Sequence, residues 1–265
     1  MARKSRNQFN KFTIVMLLFI GGLVVYLFYN NVRQFFDADA AENNFTMYPG
    51  FGIALPNGYK IHGIDVSRYQ KRVNWPVVSR MSEGNIRLGF AFVKATEGGS
   101  FTDAQFKRNW RKLQENRMVR GAYHFLRASG NGKKQARHFI NTVTLLPGDL
   151  PPVLDIETLD GTTTTEMQNA VSDWLTTVEA HYHVKPIIYT NAAFYNLYLD
   201  SKFSDYPLWI AHYQEKRQPR VSRHWYFWQH NESGRVNGID AFVDFNVFNG
   251  DSSDFKSLLI TQKIK

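Results

Sequence analysis

From residue 61 onward, short apolar runs alternate with stretches of helical spacing. The runs, each typical of a buried strand, are IHGIDV, LGFAFVKA, GAYHFL, PPVLDIE, PIIYT, PLWIAHY, YFWQH and FVDFNVF. The intervening segments 74–83, 103–117, 133–144 and 163–183 are predicted to be helical. The last segment gives the clearest pattern, because Val171, Trp174, Leu175 and Val178 fall at i, i+3, i+4 and i+7 and so share one helical face.

This alternation predicts an α/β fold, namely an irregular (β/α) barrel of about eight strands. The helical segments lie mostly in the first two-thirds of the pattern, whereas the tail is rich in strands. We therefore expect the helices to be reduced in the C-terminal part. The barrel domain is predicted to occupy residues 61–265.

The N-terminal part has a different pattern. Residues 12–29 (FTIVMLLFIGGLVVYLFY) carry no charge, and this length is enough to cross a bilayer as a helix. Basic residues precede the run and acids follow it, which predicts a basic cytoplasmic tail over 1–11, a single-pass anchor over 12–29 and a domain outside the cytoplasm. Residues 30–60 are predicted to be a tether and lead-in. A cleaved signal peptide, with Ala38-Asp39-Ala40 as the small-x-small site, is the alternative.

The charge and composition of the chain limit the classes of partner and metal site that are expected. The net charge is +9, but residues 1–36 hold five basic residues and no acid, so the rest of the chain carries only +4. Without a long basic block, nucleic acid is not an expected partner. The chain has no cysteine, and its eight histidines show no H-E-x-x-H or H-x-x-x-H spacing, so we predict neither a thiolate nor a zinc site.

Acidic side chains occur where the chemistry of a parallel barrel is usually found, near one end of the strands. The run IHGIDV carries Asp65, PPVLDIE carries Asp155 and Glu157, and FVDFN carries Asp244. A carboxylate within an apolar run is costly unless it is paired or hydrogen-bonded. The four acids are therefore the candidate catalytic residues.

Asp155 and Glu157 form the most informative pair. Alternation along a strand places both on one face, about 6.6 Å apart at the backbone. Neighbouring carboxyls in a partly dry pocket separate each other's pKa values, so that one can stay protonated. Cleavage of a glycosidic bond needs this combination of a proton donor and a negative charge.

Several other residues are candidates for substrate contacts. Tyr123 and His124 lie near a strand end, although a hydrogen-bonded core histidine is an equal alternative. Tyr189, Trp209 and Trp228 offer rings to a sugar, but buried strands use the same residues for packing. Glu97 follows a strand, where it either faces the cleft or pairs with Lys94.

The motifs GIDVSRYQ, FVKATEGGSFTD, GAYHFL, PPVLDIE, IIYTN, LWIAHY, YFWQH and GIDAFVDFN occur in the order found in glycoside hydrolase family 25, the Chalaropsis-type lysozymes. The sequence resembles this family from about residue 61 to residue 249. The resemblance implies a muramidase that needs no cofactor and cuts the β-1,4 bond between N-acetylmuramic acid and N-acetylglucosamine of peptidoglycan. It also implies that Glu157 is the general acid, Asp155 its partner carboxylate, and Asp65 and Asp244 further acids of the catalytic floor. Asp240 departs from the family pattern and is interpreted as a loop residue.

Two other functions remain open from the sequence. A non-catalytic glycan-binding envelope protein could keep the same barrel, although all four acids are present. A chitinase-like hexosaminidase also uses D-x-E, but its longer acidic run is missing, because Pro151, Pro152, Val153 and Leu154 precede Asp155.

Overall fold

The computed structural model describes residues 22–23, 25–30, 44–200, 202–213 and 215–262. The chain divides into two compact units, Met1–Phe45 and Thr46–Lys265. Among the described residues, no helix is both long enough and apolar enough to cross a membrane. The predicted tail over 1–11, and most of the predicted anchor over 12–29 and of the tether from residue 30 to 45, lie outside the described residues.

The second unit contains the sheet, together with most of a short N-terminal hairpin. In chain order the strands are β1 (Phe45–Tyr48), β2 (Ile53–Pro56), β3 (Ile61–Val66), β4 (Ser82–Glu83), β5 (Ile86–Glu97), β6 (Phe101–Thr102), β7 (Val119–Phe125), β8 (Val153–Asp155), β9 (Ile187–Asn191), β10 (Leu208–Ala211), β11 (Phe227–Gly234) and β12 (Val243–Phe248). All eight apolar runs of the sequence contribute a strand, namely β3, β5 and β7 to β12.

These strands close into a barrel. Around the ring the order is β3, β12, β11, β10, β9, β8, β7 and β5, and β5 pairs with β3 again. Neighbours are parallel, except that β12 runs antiparallel to both β11 and β3. The prediction of an irregular (β/α) barrel of about eight strands is confirmed.

Helices cover the outside of the barrel mainly in its first half. They are α1 (Trp75–Val78), α2 (Phe106–Glu115), α3 (Gly132–Thr142), α4 (Thr164–Tyr182), α5 (Ala192–Phe194) and α6 (Ser252–Leu258). Helix α4 begins with a capping box, in which Thr163 and Glu166 satisfy each other's backbone N–H groups, and its predicted apolar face is fully buried. Within the described part of the chain, α5 and α6 are the only α-helices after β9, and both are short, so the expected reduction of helices is confirmed.

The barrel interior changes character along its axis. Its lower part is a cluster of buried apolar side chains that includes Phe90, Phe92 and Phe227, and Phe255 of α6 packs against them from below. Above this cluster, the inward positions of the same strands carry polar side chains. The apolar layer fixes the backbone on which the upper polar layer is built.

The N-terminal boundary differs from the one predicted at residue 61. Phe51, Ile53 and Leu55, in and beside β2, are buried, and the ring of Phe51 lies 5.3 Å from that of Phe245 on β12. The backbone N–H of Arg235 donates to the carbonyl of Phe51 at 2.8 Å. Residues 46–60 therefore pack on the barrel rather than leading into it. The sequence did not predict this hairpin, because each of its strands has only four residues and so gives almost no periodic signal.

Candidate active site

A cavity of about 230 Å3 opens at the upper end of the barrel. It is lined by Asp65, Tyr123, Asp155, Glu157, Tyr189, Trp209, Tyr213, Gln229, Glu232 and Asp244. Seven of the ten residues proposed from the sequence are therefore brought together. No lysine or arginine is among the lining residues.

The four predicted acids reach the cavity by two routes. Asp65 and Asp155 stand at the ends of the parallel strands β3 and β8, and Glu157 lies just beyond β8. Asp244 instead lies at the beginning of β12, where the antiparallel register pairs it directly with Asp65. The sequence predicted that these four acids lie together. Asp244 joins the others because its strand runs in the opposite direction, which the sequence did not predict.

Asp155 and Glu157 are in direct contact. Their carboxyls share a hydrogen bond, so the side chains converge from the backbone spacing estimated from the sequence. Burial raises the pKa of both groups, and the charge of Glu157 raises the pKa of Asp155 further. The pair therefore retains a proton well above the ordinary range of a carboxyl. Asp155 is buried, only 5% exposed, and among the described residues no N–H or hydroxyl group donates to its Oδ1 atom.

Asp65 and Asp244 form a second carboxyl pair. Burial raises the pKa of Asp65 to about 6 and that of Asp244 to about 9, and Asp65 contributes to the shift of Asp244. Asp65 is the group that ionises first because two amides donate to its Oδ2 atom, Gln229 Nε2 at 2.7 Å and Asn246 Nδ2 at 2.8 Å. Hydrogen bonds to the charged form favour that form.

Aromatic side chains orient these two amides. Tyr189 Oη donates to Gln229 Oε1 at 2.7 Å, and Trp209 Nε1 donates to Asn246 Oδ1 at 2.8 Å. Each amide oxygen is thus occupied by a donor, which turns the NH2 group toward Asp65. Trp209 itself is held in the apolar layer, stacked on Phe92 with ring centroids 4.2 Å apart.

Gln229, Asn246, Tyr213 and Glu232 were missed from the sequence. Gln229 and Asn246 are polar residues inside the apolar runs YFWQH and FVDFNVF, which is a usable signal, because a buried polar side chain requires partners. Tyr213 Oη donates to Gln229 Oε1 at 2.5 Å and joins the same network. Glu232 is exposed and gave no signal in the sequence.

Three proposed contact residues lie elsewhere. His124 is fully buried on the outer face of β7, where Nδ1 lies 2.7 Å from Thr96 Oγ1, Nε2 lies 3.1 Å from Gln135 Oε1, and the ring stacks on Trp174 of α4. Burial lowers its pKa to about 3, so it is neutral. The core alternative therefore holds for His124, because successive residues of a strand face opposite sides and Tyr123 takes the inner one.

Trp228 packs among other side chains and Glu97 forms ion pairs, as in the alternatives given for them from the sequence. The indole of Trp228 is buried outside the barrel, where it donates to the carbonyl of His212 at 3.0 Å. Glu97 binds Lys94 Nζ at 2.7 Å and Arg127 Nε at 3.0 Å, and these cations lower its pKa against the effect of burial. Neither residue lines the cavity.

Comparison with known proteins identifies the family of this chain. Residues 64–239 match the family described as Glycosyl hydrolases family 25. The chain is 46% identical to the uncharacterized protein YegX of Escherichia coli (strain K12), over 79% of this chain and 77% of that protein. It is 34% identical to Lysozyme M1 of Streptomyces globisporus, over 75% of this chain and 71% of that protein.

Solved structures give the same result. A family 25 glycosyl hydrolase from Bacillus anthracis superposes with a TM-score of 0.71 and 31% identity, covering 78% of this chain and 96% of that one. The chain therefore belongs to glycosyl hydrolase family 25 and is a glycoside hydrolase.

Proposed function

We propose that this protein is a muramidase that hydrolyses the β-1,4 bond between N-acetylmuramic acid and N-acetylglucosamine in peptidoglycan. The observation that carries the proposal is the hydrogen-bonded pair of Asp155 and Glu157, set in the cavity wall of a family 25 barrel. A glycosidase needs a retained proton beside a group that can accept or stabilise charge, and this pair supplies both.

Glu157 is the proton donor in this proposal. It is half-buried and nearer the opening than Asp155, so it can reach the leaving oxygen of a bound glycan. The raised pKa values of the pair keep one proton available at neutral pH. When the 2-acetamido N–H of the substrate donates to Asp155, the ionised form of Asp155 is favoured and the shared proton moves to Glu157.

Asp155 then orients the acetamido group, whose carbonyl oxygen attacks the anomeric carbon. The two hydrogen-bonded carboxyls cannot stand on opposite sides of the scissile bond, which argues against Asp155 as the direct nucleophile. Asp65 and Asp244 hold charge and water on the other side of the cavity. Substrate assistance predicts retention of configuration, whereas activation of water by Asp65 or Asp244 predicts inversion.

Mass spectrometry of peptidoglycan digests tests the bond cleaved, because muramic acid stands at the new reducing end only for a muramidase. Chitin oligosaccharides serve as the control substrate, and their faster hydrolysis would identify a hexosaminidase instead. NMR of the first anomer, before mutarotation, tests the mechanism: a β product supports retention, and an α product contradicts substrate assistance.

The nearly isosteric Glu157→Gln change should abolish turnover and leave the fold intact. Asp155→Asn should lower kcat by about 10²–10⁴-fold, but less than Glu157→Gln does. Near wild-type turnover in Glu157→Gln would refute the assignment of the acid.

We also propose that the uncharged segment 12–29 anchors the enzyme in a membrane, with the barrel outside the cytoplasm. The length of the segment and the basic residues before it support this proposal. Anchoring would restrict the enzyme to peptidoglycan close to its own membrane.

A further inference from the structure

The cavity is small for a polymeric substrate. Its volume of about 230 Å3 lies below the ~300–1,000 Å3 typical of pockets that enclose a drug-sized ligand. The sugars on either side of the scissile bond must therefore lie on the rim. The rim residues decide how a long glycan strand is held.

Exposed aromatic rings occur on one part of this rim. Tyr69, just after β3, is 71% exposed, and Phe242, just before β12, is 55% exposed. A guanidinium accompanies each ring: Arg68 lies 5.5 Å from the centroid of Tyr69, and Arg235 lies 5.6 Å from that of Phe242. We call these four residues the rim platform.

The platform is continuous and lies beside the cavity. Gln70 Nε2 donates to the carbonyl of Phe242 at 3.0 Å and so ties the two segments together. Phe242 is two residues before Asp244, which lines the cavity. In the ring of eight strands β12 lies four steps from β8, so the platform stands across the opening from Asp155 and Glu157.

The loop that carries half of the platform is preorganised. Residues 235–242 line a second hollow of about 700 Å3, and the buried side chains of Val236 and Ile239 fix the loop to the barrel. Gly238 has φ +95°, and a Cβ there would lie 2.9 Å from the carbonyl oxygen of Asn74. A rigid loop that exposes a ring loses little entropy when a ligand stacks on it.

The charges of the platform match a carboxylated glycan. Among the described residues, neither Arg68 nor Arg235 forms an ion pair, so no carboxylate neutralises either guanidinium, although Arg68 also lies 4.9 Å from the centroid of the Phe101 ring. Sugar faces stack on aromatic rings, and guanidinium groups bind carboxylates. Peptidoglycan offers both, because its muramic acid residues carry lactyl or peptide carboxylates along a chain of apolar sugar faces.

We propose that the rim platform is a second binding site for the glycan strand, which holds a muramyl residue beyond the cavity by stacking on Tyr69 and Phe242 and by pairing its carboxylate with Arg68 or Arg235. This inference rests on the proposed function, because it takes the same polymer as substrate. The platform gives the enzyme a preference for long strands over short oligosaccharides.

Binding of the polymer is measured with Glu157→Gln protein, which should hold the substrate without cutting it. Adding Tyr69→Ala and Phe242→Ala should weaken binding to soluble peptidoglycan strands by roughly tenfold, from ~0.5–1.5 kcal/mol for each stacked ring. In the active enzyme, the same two changes should raise KM for the polymer much more than KM for a tetrasaccharide. Met47→Ala, an exposed apolar side chain that lines neither hollow, is the matched control.

The role of the two guanidinium groups is tested with Arg68→Gln and Arg235→Gln. Their effect should be large on strands with intact carboxylates and should disappear on strands whose carboxylates have been amidated. A fluorescence measurement gives a direct readout. Phe242→Trp in the Glu157→Gln background should show a blue shift of indole fluorescence when soluble peptidoglycan strands are added.

Unchanged polymer binding in the double alanine variant would overturn the proposal. An equal loss on tetrasaccharide and polymer would also overturn it, since the rings would then act within the cavity. If wild-type protein releases no muropeptides from any substrate, the proposed function fails, whereas the loss of strand binding remains separately measurable.

Discussion

At the scale of single residues, neighbouring side chains of one strand have separate tasks. Tyr123 points into the cavity, while His124 points outward into a closed set of contacts with Thr96, Gln135 and Trp174. Tyr123 and His124 are adjacent in sequence, yet one belongs to the cavity wall and the other to the packing outside the barrel. Substitutions should separate them into a functional and a structural class.

His124→Ala should lower the free energy of unfolding by about 2–4 kcal/mol, since it opens a cavity and leaves the partners of both ring nitrogens unsatisfied. The turnover of the folded fraction should stay within about twofold of wild type, as expected for a residue outside the site. Tyr123→Phe should instead leave urea unfolding nearly unchanged and lower kcat. The opposite pattern, with an inactive but fully stable His124→Ala, would return His124 to the site.

Asp244 illustrates how a carboxyl buried in the cavity wall affects stability. Its pKa is raised to about 9 in the folded protein, chiefly by burial and by Asp65, from an ordinary value of 3.8. Between these values the folded state binds more protons than the unfolded state, so the free energy of unfolding falls as pH rises. The protonated form is the one that the fold prefers.

Asp244→Asn should therefore stabilise the protein, by about 1–2 kcal/mol at neutral pH, and lower its activity. The gain in Tm over wild type should be small near pH 4 and grow toward pH 9. Thermal unfolding at several pH values measures it, with Asp240→Asn in the adjoining loop as the control. A gain that does not depend on pH would contradict the proton retained on Asp244.

At the scale of elements, the reversed strand β12 completes the site. It places Asp244 opposite Asp65 and brings Asn246 within reach of the same carboxylate. A parallel strand in this position would have put its first residues at the bottom of the barrel. The short hairpin β1–β2 then covers the outside of this region, where Phe51 packs on Phe245.

Deletion of residues 1–43 should leave a folded, active barrel, whereas deletion of residues 1–60 should not. The longer deletion exposes the surface that Phe51, Ile53 and Leu55 cover, each of them 5% exposed or less. Phe51→Ala alone should cost about 3–5 kcal/mol. Chemical denaturation of both truncated forms gives the comparison, and equal stability would show that the hairpin is dispensable.

At the scale of the whole molecule, the barrel presents its cavity, the rim platform and the loops that carry them at one end. The proposed anchor would keep the barrel at the membrane. Protease added outside cells with a permeabilised outer layer should degrade the barrel domain, because the charge asymmetry around residues 12–29 predicts an external domain. Deleting residues 1–30 should release the barrel to the soluble fraction. Protection from protease until lysis would contradict this topology.

The sequence by itself determined the eight barrel strands, the main helices and the four acids. These features are local: an apolar run or an i, i+3, i+4 pattern is read directly from neighbouring positions, and an acid inside an apolar run is conspicuous. The D-x-E spacing also predicted that Asp155 and Glu157 share a face. Their hydrogen-bonded contact, however, depends on how the chain turns beyond β8.

Only the tertiary structure decided which side chains face the cavity. In a barrel covered by helices both faces of a strand are buried, so the hydrophobic pattern cannot distinguish the inside from the outside. Trp209 therefore lines the site while Trp228 packs outside it, and Gln229 lies beside Asp65 in the cavity wall. The direction of β12 and the docking of the N-terminal hairpin were likewise set by contacts between residues far apart in the chain, which no local pattern records.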